Sequence, residues 1–251
     1  MKKFAASALF LAFVSLTAHA QSLPVDPDAR LSLGVNVGYT ASAYKADNTV
    51  GFAPQGFYDN HRWYIEGGEL GFYPYKDSKH HARIGVGYDG RSFDPDDADD
   101  EIKGLDERKA SVLAHASYMH ITPIGGLKAK VATDVGGRHD GTAVTLSHVS
   151  RFNVDKFTIY PSFGATWRDK NYNNYYYGVT ERESARTGVQ AYQADDGISP
   201  FISAMVNYDM NDNIALFANQ RFEWLSSAQK ESPMTDGSVE STTRLGVNYK
   251  F

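Results

Sequence analysis

Apolar and polar residues alternate one by one along most of the chain after residue 30. The segment 31–40 is typical, because apolar or aromatic side chains take every odd position and polar or small ones every even position. Side chains of a β-strand point alternately to its two faces, so this period of two predicts half-buried strands and not amphipathic helices. The same alternation recurs in the segments 82–89, 127–135, 157–167, 198–209, 214–224 and 245–251.

The last of these segments ends the chain on an aromatic residue. Leu245, Val247, Tyr249 and Phe251 share one face and alternate with polar or small residues. An apolar face at a strand that stops without a tail is typical of the closing strand of a bacterial outer-membrane β-barrel. We expect these four residues to form that strand and to act as the assembly signal of the barrel.

Alternation alone does not say which face points outward. A soluble lipocalin-like barrel buries the apolar face inside, whereas a membrane barrel turns it to lipid. Two features favour lipid here: aromatic residues at the predicted strand ends, and many charges on the polar face, where they would form a network inside the barrel. These charges are Arg83, Lys128, Lys130, Arg221, Glu223, Arg244 and Lys250.

Loop lengths predict the orientation of the barrel, because outer-membrane barrels have short periplasmic turns and longer external loops. If Phe251 lies at the periplasmic end, every long segment falls outside. The predicted external segments are 91–107, 136–141, 169–196 and 226–237, and the predicted periplasmic turns are 75–80, 122–125, 153–155 and 209–212.

The number of strands depends on one position. The apolar parity changes between Trp63 and Phe72, across Glu66-Gly67-Gly68-Glu69. A Gly-Gly hairpin would explain the change and gives about twelve strands, an even number as in bacterial single-chain barrels. A β-bulge would keep one continuous strand and gives the alternative of ten. The predicted fold is thus an all-β, antiparallel, up-and-down transmembrane barrel of about twelve strands.

The N-terminus predicts export. Lys2 and Lys3 precede an apolar run, and Ala18-x-Ala20 is a cleavage site of small residues, so residues 1–20 are expected to be a signal peptide. Its removal changes the formal net charge from −5 to −7, a balance that argues against a nucleic-acid partner. Cysteine is absent, which excludes a disulfide scaffold. With no linker visible, residues 21–251 are expected to form a single barrel domain.

Several short motifs resemble a known family. They are Tyr160–Trp167, Asn173–Val179, Gly68–Phe72, Thr133–Val135 with Gly141, Ser232-Pro233 and Tyr249–Phe251. Together they are similar to the MipA/OmpV family of outer-membrane proteins, which is named for interaction with the lytic transglycosylase MltA. The resemblance extends over essentially the whole chain after the signal, and the Asn-Tyr-Tyr-Tyr-Gly-Val block is its most specific part.

The resemblance implies a barrel without catalysis and without a cofactor. It implies a scaffold that joins a murein hydrolase (lytic transglycosylase) to a penicillin-binding synthase, or a protein of envelope adhesion, with outer-membrane lipid as its surroundings. A narrow diffusion channel or small-solute transporter is the alternative. The short periplasmic turns offer a thin surface for two partners, which is a physical objection to the scaffold role.

Serine and histidine positions give no catalytic constellation. Ser147 and His148 are adjacent, so on a strand they point to opposite faces and cannot form a nucleophile–base pair. His115 and His120 differ by five positions and also face opposite ways. The sequence therefore predicts no catalytic residue and no enzyme.

The densest run of charge is acidic. It covers residues 94–101, from Asp94 to Glu101. One interpretation is a divalent cation site. The spacing does not match an EF-hand, however, which needs Gly at its sixth and Glu at its twelfth position. The favoured interpretation is a solvated external loop.

A tyrosine cluster begins the longest predicted loop. Tyr172, Tyr175, Tyr176 and Tyr177 are too apolar together for a freely solvated loop, so they should pack on something. We expect them to fold inward as a plug of the lumen, or to form a contact site at the rim. Thr180 and Glu183 have the spacing of a capping box, which predicts a short helix after the cluster.

Overall fold

The computed structural model describes residue 26 and residues 29–251. The predicted signal peptide, residues 1–20, lies outside the described residues. The strands form one antiparallel sheet in which β10 also pairs with β11, so the sheet closes into a barrel. The strands are β1 (Ser32–Ala41), β2 (Thr49–Asp59), β3 (Trp63–Gly67), β4 (Glu69–Lys76), β5 (His80–Tyr88), β6 (Val112–Thr122), β7 (Gly125–Asp134), β8 (Thr142–Val149), β9 (Phe152–Val154), β10 (Phe157–Arg168), β11 (Gly197–Asp209), β12 (Ile214–Trp224) and β13 (Val239–Lys250).

Two of these strands share one position in the wall. β8 pairs with β10 along Ser162–Arg168, and β9 pairs with the same strand along Phe157–Ile159. They are the two parts of a single strand that is interrupted at Ser150 and Arg151. The wall is therefore a closed barrel of twelve strands, as predicted.

The hairpin predicted at Gly67-Gly68 is present. Glu66 pairs with Glu69, and the turn between β3 and β4 contains Gly67 and Gly68. Gly67 has a φ of +63°, a conformation that residues with a Cβ rarely adopt. The parity change in the sequence thus marks a turn and not a bulge.

The apolar face of the strands points away from the barrel. Phe52 is 84% exposed, and large apolar side chains on almost every strand are exposed in the same way. In a soluble barrel these side chains would be buried inside, so the expectation of a lipid-facing surface is confirmed. Members of this surface include Leu33, Val35, Val50, Ile65, Leu70, Val86, Leu127, Leu146, Phe163, Ile202, Leu216 and Leu245.

The two ends of the barrel differ as the loop lengths predicted. Short turns lie at one end, which we call periplasmic, and long loops at the other, which we call external. One turn lies later than expected: Asn153 and Val154 belong to β9, and the chain turns at Asp155 and Lys156. Asp155 takes a positive φ of 51°, which aspartate tolerates better than most residues.

Strand β13 closes the barrel against β1. Leu245 pairs with Val37, and the register continues to the pair of Ser32 and Lys250. One residue further, the Phe251 N–H donates to the Leu31 carbonyl at 3.0 Å. The C-terminal alternation is therefore the closing strand of the barrel.

Helices occur only in the external loops of the described chain. They are α1 (Lys170–Tyr177), α2 (Glu181–Thr187) and α3 (Ser227–Lys230), with a 3-10 turn at Pro95–Asp97. Among the described residues, no helix is long and apolar enough to cross a membrane. The predicted helix after the tyrosine cluster is α2, and Thr180 and Glu183 form its capping box.

Candidate functional site: a capped chamber

The external loops pack into one body above the barrel. We call the segments 42–48, 89–111, 135–141, 169–196 and 225–238 the cap. Its buried apolar residues form one continuous cluster, in contrast to the strands, on which most large apolar residues are exposed. The cluster consists of Ala43, Tyr44, Phe93, Ala98, Ile102, Leu105, Tyr172, Tyr176, Tyr177, Val179, Ala194, Leu225 and Met234.

Helix α1 places the predicted tyrosines in this cluster. The Asp169 carboxylate accepts from the Tyr172 N–H at 2.9 Å and caps the helix. Tyr172 and Tyr176 are one turn apart and therefore lie on the same face. Tyr176 and Tyr177 are almost completely buried, whereas Tyr175 packs at the edge of the cluster. The sequence analysis did not predict this helix. Its local signals are an N-cap residue, Asp169, and tyrosines at helical spacing.

The tyrosine hydroxyls bind the neighbouring loops. Tyr176 donates to Asp89 at 2.7 Å, and Arg91 donates to the Tyr177 hydroxyl at 2.6 Å. Tyr175 donates to the Lys109 carbonyl at 3.1 Å. Burial, and then the hydrogen bond to Asp89, raise the pKa of Tyr176 well above its usual value, so this hydroxyl stays a donor. The cluster thus fastens α1 to the loop 89–111.

A buried ion pair joins the same loop to α2. Arg108 donates to the Glu183 carboxylate at 2.6 Å, and both side chains are buried. Burial alone would raise the pKa of Glu183, but the Thr180 N–H, Arg108 and the Asp106 N–H together lower it to about 2. Because this carboxylate is held by donors from two segments, its charge supports the cap.

Below the cap, charged side chains line the inner wall. Glu223 accepts from Arg168 at 2.7 Å and from Arg221 at 2.6 Å. Arg91 leaves the cap to bind Glu240 through both carboxylate oxygens, at 2.8 and 3.0 Å. The predicted inward network is therefore present in part: Arg221 and Glu223 belong to it, whereas Lys250 pairs with Asp209 at the periplasmic end. Arg91, which lies in a loop, could not be assigned to it from alternation.

Deeper in the barrel, a second group of charges surrounds Glu69. Lys130 donates to this carboxylate, and His115 Nε2 lies 3.4 Å from it. Arg83 on β5 donates to Glu66 on β3, across the intervening strand β4. These pairs leave the inner wall polar on several strands.

A cavity of about 610 Å³ lies between the cap and the charged wall. We call it the chamber. Its lining combines cap residues such as Tyr44 and Tyr172 with wall residues such as Thr166 and Arg221. A volume of this size is within the range of small-molecule sites, about 300–1,000 Å³. The tyrosine cluster thus closes the external side of a space large enough for a ligand.

The residues considered for catalysis do not converge. His148 packs against Phe163 on the lipid side, with ring centroids 5.2 Å apart, whereas the adjacent Ser147 belongs to the opposite face. His115 is buried beside Glu69, and His120 stacks on His80 at 4.8 Å.

The acidic run 94–101 lies on the rim of the cap. The Asp94 carboxylate accepts from the Asp96 N–H at 3.0 Å, and Glu101 pairs with Lys45 at 2.8 Å. In the part of the chain that the structure describes, no three acidic, histidine or cysteine side chains converge as a metal site would require. The local bonds organise the loop.

Comparison with known proteins assigns the family. The family model described as MltA-interacting protein MipA matches residues 33–251. The chain belongs to the MipA family. The MltA-interacting protein of Escherichia coli (strain K12) is 30% identical over 226 residues, which are 89% of this chain and 91% of that protein. The putative outer membrane protein YiaT of the same organism is 29% identical over 226 residues, 89% of this chain and 92% of that protein.

Membership in the MipA family confirms the predicted cellular location. The protein is located in the outer membrane of a Gram-negative cell, and it is a non-enzymatic barrel. Among solved structures, the NanC porin superimposes with a TM-score of 0.46 and 10% identity, covering 87% of this chain and all of that chain.

Proposed function

We propose that this MipA-family protein is an interaction barrel that positions murein-remodelling enzymes, with its lumen closed by the cap. Its relative in Escherichia coli is named for interaction with MltA. The observation that carries the proposal is the cap itself, because a diffusion pore needs an open mouth. In this proposal the cap is the plug of the lumen, and its packing is maintained by Tyr172, Tyr175, Tyr176 and Tyr177.

The periplasmic turns are the surface for a lytic transglycosylase or a penicillin-binding synthase. Two turn residues there expose apolar side chains: Ile124 is 77% exposed and Met210 is 43% exposed. Single exposed apolar side chains are common on protein surfaces, so the assignment of these two residues to the partner surface is part of the proposal. They enlarge a surface that the short turns alone make thin.

Co-purification tests the interaction. Detergent-solubilised barrel should retain a lytic transglycosylase and a penicillin-binding synthase, and Ile124→Asp with Met210→Asp should reduce this retention at least fivefold. Val135→Asp is the matched control, since Val135 is 58% exposed at the external end. Equal retention by the double variant and the control would reject the periplasmic surface. Retention that only the external substitution reduces would likewise contradict a periplasmic contact surface.

A narrow solute channel is the second candidate. The chamber favours it, because a polar cavity inside a barrel is the usual site of a translocated solute. The closed cap argues against it unless the loops move. Conductance measurements in planar bilayers separate the two functions.

The closing strand carries a further proposal. Leu245, Val247, Tyr249 and Phe251 present the exposed apolar face that assembly factors would recognise. Phe251→Ala should lower the amount of folded barrel in the outer membrane without changing the purified protein's melting temperature by more than about 2 °C. A normal yield of Phe251→Ala would contradict the assembly role.

A further inference from the structure

The wall of the barrel is incomplete at one place. Strand β2 has eleven residues, but only Gly56–Asp59 pair with β3. The segment Thr49–Gln55 pairs with β1 on one side, and on its other side no strand of the described chain pairs with it. The cause is the short β3–β4 hairpin, whose turn at Gly67 is level with Gly56.

The gap has a complete border. Residues 49–55 form one side and the hairpin turn forms the floor. On the opposite side β4 begins only at Glu69, which leaves Gly87 and Tyr88 at the end of β5 without a partner in β4. Above, the loops meet, since the Asp47 N–H donates to the Asp97 carbonyl at 2.8 Å. We call this opening in the wall the window.

The window faces lipid on its outer side. Val50 and Phe52 on its edge are 62% and 84% exposed, and Val50 is paired with Tyr39 of the lipid-facing surface. Pro54 lies between them and Gly56, and proline is tolerated on an unpaired edge because it lacks an N–H. Unpaired backbone at membrane depth is tolerated only where it is buried in protein or lines a water-filled cavity, and residues 49–54 are exposed.

The chamber is that cavity. Its lining includes Thr49 on one side of the window and Glu69, Gly87 and Tyr88 on the other. The cap closes the chamber from above, whereas no described strand closes it at the window. The chamber therefore opens sideways, towards the membrane.

An arginine without an ion pair lies near this opening. Arg244 lines the chamber and is exposed, and it forms no salt bridge with a described residue. Its neighbours differ, because Arg168 and Arg221 both bind Glu223. Arg168 Nη1 is also buried without a hydrogen-bond partner in the described chain. The inner wall thus holds more positive charge than its own carboxylates use.

Glycines leave a path from Arg244 to the window. Gly38 lies beside Arg244 on β1, and Gly51 lies beside Gly38 on β2. The Arg244 side chain extends over Gly38, where an added Cβ would meet Cγ at 3.6 Å. At Gly51 an added Cβ would meet nothing within 4 Å. The guanidinium is therefore directed along a flat strip that ends at the window.

We propose that the chamber binds an amphiphile with a phosphate or carboxylate head group, which enters from the membrane through the window. Arg244 binds the head group, and the apolar tail lies outside along Val50 and Phe52. A guanidinium matches the geometry of both anions. Asp47, Asp94 and Asp97 also line the chamber, so a head group with an ammonium beside its phosphate is accommodated.

Calorimetric titration with lauroyl lysophosphatidylethanolamine tests the proposal. The barrel is held in dodecyl maltoside, and the heat of protein-free micelles is subtracted. One molecule should bind per barrel. Arg244→Gln should weaken binding at least tenfold, and Gly51→Trp, which fills the window, should weaken it equally. Heat-dependent mobility on gels confirms that each variant is folded.

Matched variants complete the design. Arg138→Gln removes an exposed arginine from the cap outside the chamber, and Gly51→Ala adds too little to close the window; both should bind as the native chain does. Inorganic phosphate is titrated in parallel. If phosphate alone binds as tightly and Gly51→Trp has no effect, the ligand is a soluble anion and lateral entry is wrong. Binding that Arg244→Gln leaves unchanged would refute the head-group site.

Discussion

The wall and the cap of this protein are stabilised in opposite ways. In the wall, apolar side chains point outward to lipid, and hydrogen bonds join each strand to its neighbours all round the barrel, except at the window. In the cap, apolar side chains point inward and form a buried cluster like that of a small soluble domain. The comparison shows that two regions of one chain are folded for different surroundings, the wall for lipid and the cap for water. The part that resembles a soluble protein lies outside the membrane.

Substitutions should therefore destabilise the cap and the barrel wall independently of each other. Damage to the cluster should open the cap and leave the barrel folded, whereas a charge on the lipid face should weaken the barrel and leave the cap closed. The following predictions test this separation, beginning with the largest effect.

Tyr176→Ala should have the largest effect, and it should be confined to the cap. The side chain is fully buried and its hydroxyl bonds Asp89, so its removal should cost about 3–5 kcal/mol of cap stability. Limited proteolysis should cut the loops 89–111 and 169–196 quickly, while gel mobility still shows a folded barrel. Tyr192→Ala is the milder control, because this residue is only partly buried. Loss of the folded barrel in Tyr176→Ala would contradict the separation.

Leu245→Lys should have the converse effect. A lysine on the lipid face near mid-membrane costs about 2–4 kcal/mol in a barrel. Denaturant unfolding in lipid vesicles should show this loss, and the protease pattern of the cap should stay native. Thr242→Lys, which points into the chamber, is the matched control and should cost less. If both lysines destabilise equally, the assignment of the two faces is wrong.

Acid should loosen the cap through Glu183. Its pKa in the folded protein is lowered to about 2, so its contribution is present above the unfolded pKa of about 4.3 and is lost as the pH falls towards 2. The contribution is at most about 3 kcal/mol. Protease sensitivity of the loops should rise over this range. Glu183→Gln should show the loosened cap already at neutral pH, and Glu181→Gln, on the exposed side of α2, should behave as the native chain. A pH profile unchanged by Glu183→Gln would exclude this carboxylate as the cause.

The smallest effect is expected at the wall hairpin. Gly67→Ala should cost about 1 kcal/mol, because only Gly67 has a positive φ in this turn. Gly68→Ala is the control, with open space around the added Cβ. Equal melting temperatures of the two variants would contradict the turn geometry.

Much of the wall was predictable from the sequence, because alternation reports directly which residues face lipid. The hairpin at Gly67 and Gly68, the strand number and the closing strand all follow from parity. The window was not predictable in this way. Val50 and Phe52 alternate as paired residues do, and only the length of the neighbouring hairpin shows that their strand lacks a partner.

The cap was predictable only where a local motif exists. The capping box of Thr180 and Glu183 identified α2, because its bonds lie within one turn. Burial of the tyrosines was predicted from their apolar character, but their partners were not. Asp89 and Arg91 lie more than 80 residues away in the chain, so no local pattern connects them to α1.

Single-channel recording in planar bilayers tests the central claim, that the tyrosine cluster of the cap closes the barrel. The native protein should remain closed at moderate voltage. Deletion of residues 171–179 should produce steady conductance steps, and Tyr176→Ala should produce frequent brief openings, with both variants verified as folded barrels by gel mobility. Conductance of the native protein equal to that of both variants would show that the cap does not close the lumen.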